Sequence, residues 1–525
     1  MKPASRLRLQ RSNVVIFMMD TQGSRNMSCY GYPLRTTPNI DQIASEGAIY
    51  LNHFVTSPWT LPAHASLFTG RYESGHGAGA QHEALEPGLP QMGDVFTRNG
   101  YRTLALCNNT WAYESGEKAR YSPGTGFEEH IRYNQPEYKP VPPYVPSDDP
   151  DFKDKGSLKA IGLAAQWIDQ NIAGGNQPFL MFINCLEPHD PYRPPEPFRS
   201  QFLNGRPYQS PPEKWQAFAT SGVVCPTFDD WTYQRMLYDA STATLDDRIG
   251  KLTQELIARG LYDNTIFIVT GDHGDVIGEQ VNYAYHSQNG VWDYTCKTPL
   301  IIRYPKMFKP GTRCKELVQI NDIFPTLLEL CGIEDAEASA SIQGHSLVAA
   351  LKKPTRQFAL LEAQRSIHPM RRTWCESPAE MAELLDVRFA NVSYKAARTK
   401  RYKYVWVSNG QDMLFDTIKD PDERWNVIHL FPEIARKLRK ALETKLMSIE
   451  QRYFPDFFKP NKDKTIHNPY GIRRLCAWGL YQPVGTIAPW NPAEMEVGTP
   501  GNGHSAIKKP SAPIKVLRRK KNVSI

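Results

Sequence analysis

Three stretches of this chain are apolar from end to end and then stop at an acid. NVVIFMMD closes on Asp20, PFLMFINCLEP reaches Glu187, and TIFIVTGDHG reaches Asp272. A strand with one wet face alternates polar and apolar residues, because successive side chains point to opposite sides. Runs without that alternation are covered on both faces, as in a parallel sheet layered with helices. Helix signals lie between them. TTPNIDQIASEG offers Thr37 as N-cap, Pro38 at the first helical position and Gly47 as the stop. Residues 232–259 place Leu245, Ile249, Leu252 and Leu256 on one face, with Gly260 closing the helix. Further strands are expected at YRTLALC and PLIIRYP, and a helix at DIFPTLLELCGI. The expected fold class is α/β, a mostly parallel central sheet sandwiched by helices. Ligands of such sheets sit at the carboxyl ends of the strands. Asp20, Glu187 and Asp272 occupy that end of three strands and are expected to converge on one rim.

Near residue 355 the texture changes. FALLEAQ, FANVSYKAART, RYKYVWVS and DMLFDT are short alternating segments, which suit a small antiparallel sheet, and a helix follows over about 431–451. Residues 456–525, rich in Pro, Gly, Asn and Lys, read as an extended tail. The expected organisation is a catalytic domain over 1–354, an antiparallel subdomain over 355–455, and the tail.

The formal net charge of +7 is local. Residues 508–525 hold seven basic side chains and no acid, so residues 1–507 are balanced. The body lacks the basic excess that nucleic-acid binding leaves, and no nucleic-acid partner is expected for it. The basic end reads as a solvated terminus, with weak contact to an anionic membrane or RNA as the lesser alternative. Nine cysteines show no CxxC spacing, and several sit in apolar runs, as buried free thiols of a reducing compartment would. The apolar run Val14–Met19 is only six residues long, too short for a signal peptide. A cytoplasmic protein is expected.

SPWTLPAHASLFTGRY, residues 57–72, leads a turn into a small-residue helix. A helix start offers free N–H groups and a positive dipole end. A hydroxyl placed there beside a metal can ionise near neutral pH. Taken alone, the stretch is also what an N-cap threonine with Pro62 in the first turn looks like. It resembles the nucleophile motif of the sulfatase branch of the alkaline phosphatase superfamily, Cys/Ser-x-Pro-x-Arg-x-Ser-x-x-Thr-Gly-Arg-Tyr. Thr60, Pro62, His64, Ser66, Thr69, Gly70, Arg71 and Tyr72 stand in its places. Further matches run in family order: VVIFMMDTQG with SCYGY, TTPNIDQIASEG, EPHDPYRPP, YDNTIFIVTGDHGDVIGE, DIFPTLLELCGI and MLFDTIKDPDERWNVI.

The resemblance implies a metal-dependent hydrolase of a sulfuric or phosphoric ester. It makes Asp20, Asp272 and His273 metal ligands, and Thr60 the nucleophile touching the same ion. His64 would orient the nucleophile loop or meet substrate. His189 would contact substrate or protonate the leaving group. His286 would complete a second metal site or bind the leaving oxygen. Asn108, Lys297 and Glu187 are candidate substrate contacts, Glu187 alternatively a ligand of a second ion. The departures from the family pattern are chemical. Thr60 cannot become formylglycine, the oxidised cysteine of most sulfatases. His64 replaces an arginine, Asn108 and Thr110 stand for a lysine and a histidine, Asp20-Thr21 for an Asp-Asp pair, and Gln280 for a histidine. Thr60-x-Pro-x-His64 is similar to the nucleotide pyrophosphatase/phosphodiesterase branch. The cofactor expected is a divalent ion, zinc or manganese favoured by the imidazole ligand and calcium an alternative. The substrate expected is a small-molecule, sugar or lipid ester. Site chemistry favours a phosphoester and family resemblance a sulfuric ester. The alternatives are a phosphoryl- or phosphoglycerol-type transferase and a catalytically degenerate scaffold.

Overall fold

The computed structural model describes residues 11–80, 84–85, 88–109, 111–112, 123–133, 155–172, 177–207, 227–279, 286, 290–364 and 392–452. Its main sheet contains β1 (Asn13–Asp20), β2 (Ala48–Phe54), β3 (Arg102–Cys107), β4 (Glu129–Ile131), β5 (Phe179–Pro188), β6 (Thr265–Gly271), β7 (Leu300–Arg303) and β8 (Thr312–Gln319). They lie in the order β4-β3-β5-β1-β6-β7-β2-β8. Only β7 runs antiparallel to its neighbours β6 and β2, so the expected mostly parallel α/β sheet is observed.

β1 sits at the centre and is buried along its whole length. Its side chains part by alternation. Val14, Ile16 and Met18 join the core on one face, and Val15, Phe17 and Met19 the core on the other. The second core takes Leu245, Ile249, Leu252 and Leu256 from the helix Phe228–Ala258, the face read from their spacing. The helix Pro38–Glu46 packs there too. Its Thr37 does not cap with its side chain, because that hydroxyl donates to Asp41 Oδ1 at 2.9 Å.

Beyond residue 358 come β9 (Ala359–Ala363), β10 (Tyr394–Arg398), β11 (Tyr402–Val407) and β12 (Met413–Asp416). They form an antiparallel sheet in the order β12-β11-β10-β9, followed by the helix Pro432–Ser448. The first core runs without a break from Val14 through Phe324 to Leu361, Val405 and Phe415. Gln319, at the end of β8, fastens both sides of the Leu360 peptide, donating to its oxygen at 2.8 Å and accepting from its nitrogen at 3.0 Å. The two sheets therefore share one core. The tail over 456–525 lies outside the described residues. Six cysteines are described, all free thiols and five of them buried. No described helix is long and apolar enough to cross a membrane.

Candidate metal centre and nucleophile

β1 and β6 are in register up to Met19 opposite Gly271, so the residues just beyond, Asp20 and Asp272, leave the sheet side by side. The chain turns out of β1 through Thr21, which takes the left-handed φ of +66° that a β-branched residue rarely adopts. That turn lets the Thr21 N–H donate to Asp272 Oδ1 at 2.9 Å. The His273 N–H donates to the same oxygen at 2.8 Å. Asp20 Oδ1 accepts from the Thr21 hydroxyl at 2.9 Å.

Asp20, Asp272 and His273 are fully buried, and one potential ligand atom of each falls within 4.8 Å of the others. His273 Nδ1 meets the Gly274 carbonyl oxygen at 3.2 Å, so Nδ1 carries the proton and Nε2 the lone pair. Nε2 faces Asp272 Oδ2 at 3.5 Å and Asp20 Oδ1 at 3.8 Å. The Thr60 hydroxyl, in the first turn of the helix Thr60–Thr69, lies 3.2 Å from the same nitrogen.

This donor set fits a divalent cation. Asp272 Oδ2 is buried with no hydrogen-bond partner. Burial first, and the Asp20 charge second, push the Asp272 carboxyl well above the usual range. Burial, then His286, holds the His273 imidazole well below its ordinary value, hence neutral, the form that ligates metal.

His64 lies beneath the Thr60 turn. Its Nδ1 donates to the Thr60 carbonyl oxygen at 2.9 Å, its Nε2 is 3.4 Å from the Asn184 amide, and its ring meets Phe182 edge-on. Both nitrogens are engaged inside the protein, and burial keeps the ring neutral. The arrangement makes His64 a positioning group for the Thr60 turn.

A second group lies at the mouth. His189, Asp190 and His286 also bring ligand atoms within 4.8 Å of one another. The His286 ring is 4.6 Å from that of His273 and 4.4 Å from that of His189. His286 Nδ1 bonds Asp275 Oδ1 at 2.8 Å. Burial pulls the His286 pKa down, but Asp275 and Asp190 overcome it and leave it raised.

The remaining expected residues stand elsewhere. Glu187 reaches the rim, but its Oε1 accepts from the Lys155 N–H at 2.8 Å and the Ser157 hydroxyl at 3.0 Å, anchoring the start of the helix Ser157–Asn171. Two of the three rim acids converge, and the third holds a helix. Asn108 hydrogen-bonds to none of the cluster. Its neighbour Asn109 does, donating to Asp20 Oδ2 at 2.5 Å while its Oδ1 accepts from the Trp111 N–H at 2.9 Å. Lys297 lines a separate pocket with Arg25 and Arg398. Gln280 and Thr110 lie outside the described residues. Besides Asp190 and Asp275, which flank His286, two contributors escaped the sequence. Asn109 is one place from the residue singled out. Lys155 comes from the charge-mixed DFKDKGS stretch, which carries no signal, yet its buried ammonium donates to the His189 carbonyl oxygen.

A mostly parallel α/β sheet that brings two acids, an imidazole and a hydroxyl together at its rim is an arrangement suited to ester hydrolysis. The profile described as Sulfatase matches residues 12–333, and that of the N-sulphoglucosamine sulphohydrolase C-terminal region matches residues 282–452. The chain belongs to the sulfatase family, within the alkaline phosphatase-like superfamily, whose enzymes are metal-dependent. It is 25% identical to an ulvan-active sulfatase of Formosa agariphila over 84% of this chain and 82% of that one. The phosphonate monoester hydrolase of Agrobacterium radiobacter superposes with a TM-score of 0.65 at 20% identity, over 83% of this chain and 96% of its own. A structure solved with its substrate D-glucosamine-2-N,6-O-disulfate superposes at 0.63 and 21% identity, over 83% and 98%.

Proposed function

We propose that this chain hydrolyses a phosphate or sulfate ester with Thr60 as nucleophile, the phosphoester favoured by the site chemistry. The observation that carries the reading is the Thr60 hydroxyl 3.2 Å from His273 Nε2, beside two buried acids with no lysine or arginine within salt-bridge distance among the described residues. Asp20, Asp272 and His273 would hold a divalent ion, the imidazole favouring zinc or manganese. Such an ion, when bound, lowers the pKa of a hydroxyl and offsets charge on the ester oxygens.

His64 fixes the Thr60 turn through its carbonyl, and the Thr60 hydroxyl, 3.2 Å from His273 Nε2, would reach the ion that nitrogen holds. Thr60 Oγ, its proton released to solvent, attacks the central atom, the bond from that atom to the ester oxygen breaks, and His189 or His286 gives the departing oxygen a proton. Water then cleaves the threonyl ester and frees the inorganic anion. Threonine has no hemiacetal from which to expel sulfate by elimination, which favours phosphorus. The specific observation on the other side is likeness to an ulvan-active sulfatase and to a fold that takes a disulfated glucosamine. Trp59 and Trp111, edge to face with centroids 5.5 Å apart beside Thr60, suit a sugar ring or aryl group. The buried thiols favour a reducing, cytoplasmic setting.

The test is hydrolysis of nitrophenyl phosphate, bis-nitrophenyl phosphate and nitrophenyl sulfate by metal-loaded protein, with Thr60→Ala alongside. Phosphoester turnover lost in the variant is the expected result. Turnover that survives the substitution overturns the nucleophile, and sulfate turnover alone overturns the preference for phosphorus.

A further inference from the structure

A cavity of about 640 Å³ opens between the Ser24–Arg25 turn, the β2–β8 edge and the β10–β11 turn. Arg25, Lys297, Arg313, Lys315, Arg398 and Lys400 line it, against Asp293 as the one acid on the wall. No residue of the Asp20–Asp272–His273 centre contributes to it.

Half of these cations are already answered. Arg398 forks onto Asp293 at 2.8 Å and 3.0 Å, Arg25 pairs with Asp422 at 3.0 Å, and Lys400 with Glu316 at 2.7 Å. Among the described residues, Lys297, Arg313 and Lys315 have no carboxylate within 4.0 Å. Lys297 is the telling one. Its side chain is half-buried, with its ammonium 6.0 Å from the Phe54 ring. Burial lowers its pKa, Asp293 opposes, and Arg398 and Arg25 lower it further. Asp293 cannot neutralise it, being committed to Arg398 and Lys403. A partly desolvated ammonium among like charges is costly unless an anion joins it. Three uncompensated donors on the walls of one concavity would place that anion within reach of charge-assisted hydrogen bonds.

We propose that this cavity is a binding site for a sulfate or phosphate group, distinct from the metal centre. The group arrives either as the free inorganic anion or carried on a polyanionic chain. The alternative is that Arg313 and Lys315 merely guard β8, which is an edge strand, against pairing with other chains. The inference stands whether or not Thr60 is the nucleophile.

Calorimetric titration of the full-length, metal-loaded protein at low salt separates these. The probes are sodium sulfate and dextran sulfate. The variants are Lys297→Gln, the exposed Lys315→Gln, and a control, Lys437→Gln with Lys440→Gln, which removes two exposed charges from the helix Pro432–Ser448. The expected result is about tenfold weaker binding in each pocket variant and none in the control. Loss seen with sodium sulfate identifies the free anion, and loss seen only with dextran sulfate identifies the chain-borne group. Binding of both probes that ignores Lys297 and Lys315, or that falls equally in the control, overturns the site. Lys315→Gln, on the surface, keeps the test decisive should Lys297→Gln fail to fold.

Discussion

Two sets of buried carboxylates in this molecule are balanced in opposite ways. Asp20 and Asp272, at the rim of the main sheet, have no lysine or arginine within salt-bridge distance among the described residues. Asp293, where the two sheets meet, has Arg398 at 2.8 Å and Lys403 at 3.0 Å, and Lys403 also pairs with Glu423. Burial alone would push both Asp272 and Asp293 upward. Arg398 and Lys403 reverse it at Asp293 and hold that carboxyl well below the ordinary range. Nothing reverses it at Asp272, and the Asp20 charge adds to it. On the proposed reading, the network closed by the protein's own cations is structural and the one left without them is the functional centre. The open one is left for a charge from outside.

The contrast can be broken from either side. Asp272→Asn should lower turnover on the order of a thousandfold and abolish metal uptake. Urea unfolding of the metal-free protein should find that variant as stable as the parent or more so, since it removes a repelling charge. Asp293→Asn should do the reverse. It strands the buried Arg398 and leaves Lys403 to Glu423 alone, and should cost about 3–5 kcal/mol in urea unfolding, while metal stoichiometry is kept in whatever remains folded. Glu73 tests an intermediate case. Burial, then Glu362, raises it from 4.5 to about 8. The folded protein holds that proton more tightly than the unfolded chain. The contribution is therefore full below about pH 4.5 and fades as pH rises toward 8. Glu73→Gln should flatten the stability profile between those values and gain roughly 5 kcal/mol over the parent at pH 9. The smallest effect expected is that of Asn109→Ala. It removes the amide that orients Asp20 and should weaken metal binding about tenfold, read by chelator competition.

The sequence marked out the centre of this molecule better than its margins. β1, β5 and β6 were plain, because a strand buried on both faces leaves an unbroken apolar run. Asp20 and Asp272 followed from their place at the ends of those runs, and His273 from the resemblance of the TIFIVTGDHG stretch to the family's metal strand. β2, β4 and β8 escaped. β2 carries Asn52 and His53, β4 has three residues, and β8, TRCKELVQ, is an edge strand with the mixed charge of a surface helix. Glu187 was correctly put at the rim but not facing inward, since its partners Lys155 and Ser157 are about thirty residues away in a stretch without periodicity. Lys297 lies just ahead of β7, and that antiparallel strand begins where its neighbours end. Its start nonetheless opens toward the basic cavity, a placement only tertiary packing decides.

The unbroken core from Val14 to Phe415 bears on how such chains can be recombined. Leu361, Ala396 and Val405 fill space that residues before 354 leave open, and the Gln319–Leu360 bonds cross the same boundary. A chimera joined at residue 354, with its second sheet taken from a relative, would inherit two halves of a mismatched interior. The natural splice points are those that carry whole layers together. The second sheet is best regarded as inseparable ballast of the catalytic body, to be swapped with its opposing strands or not at all.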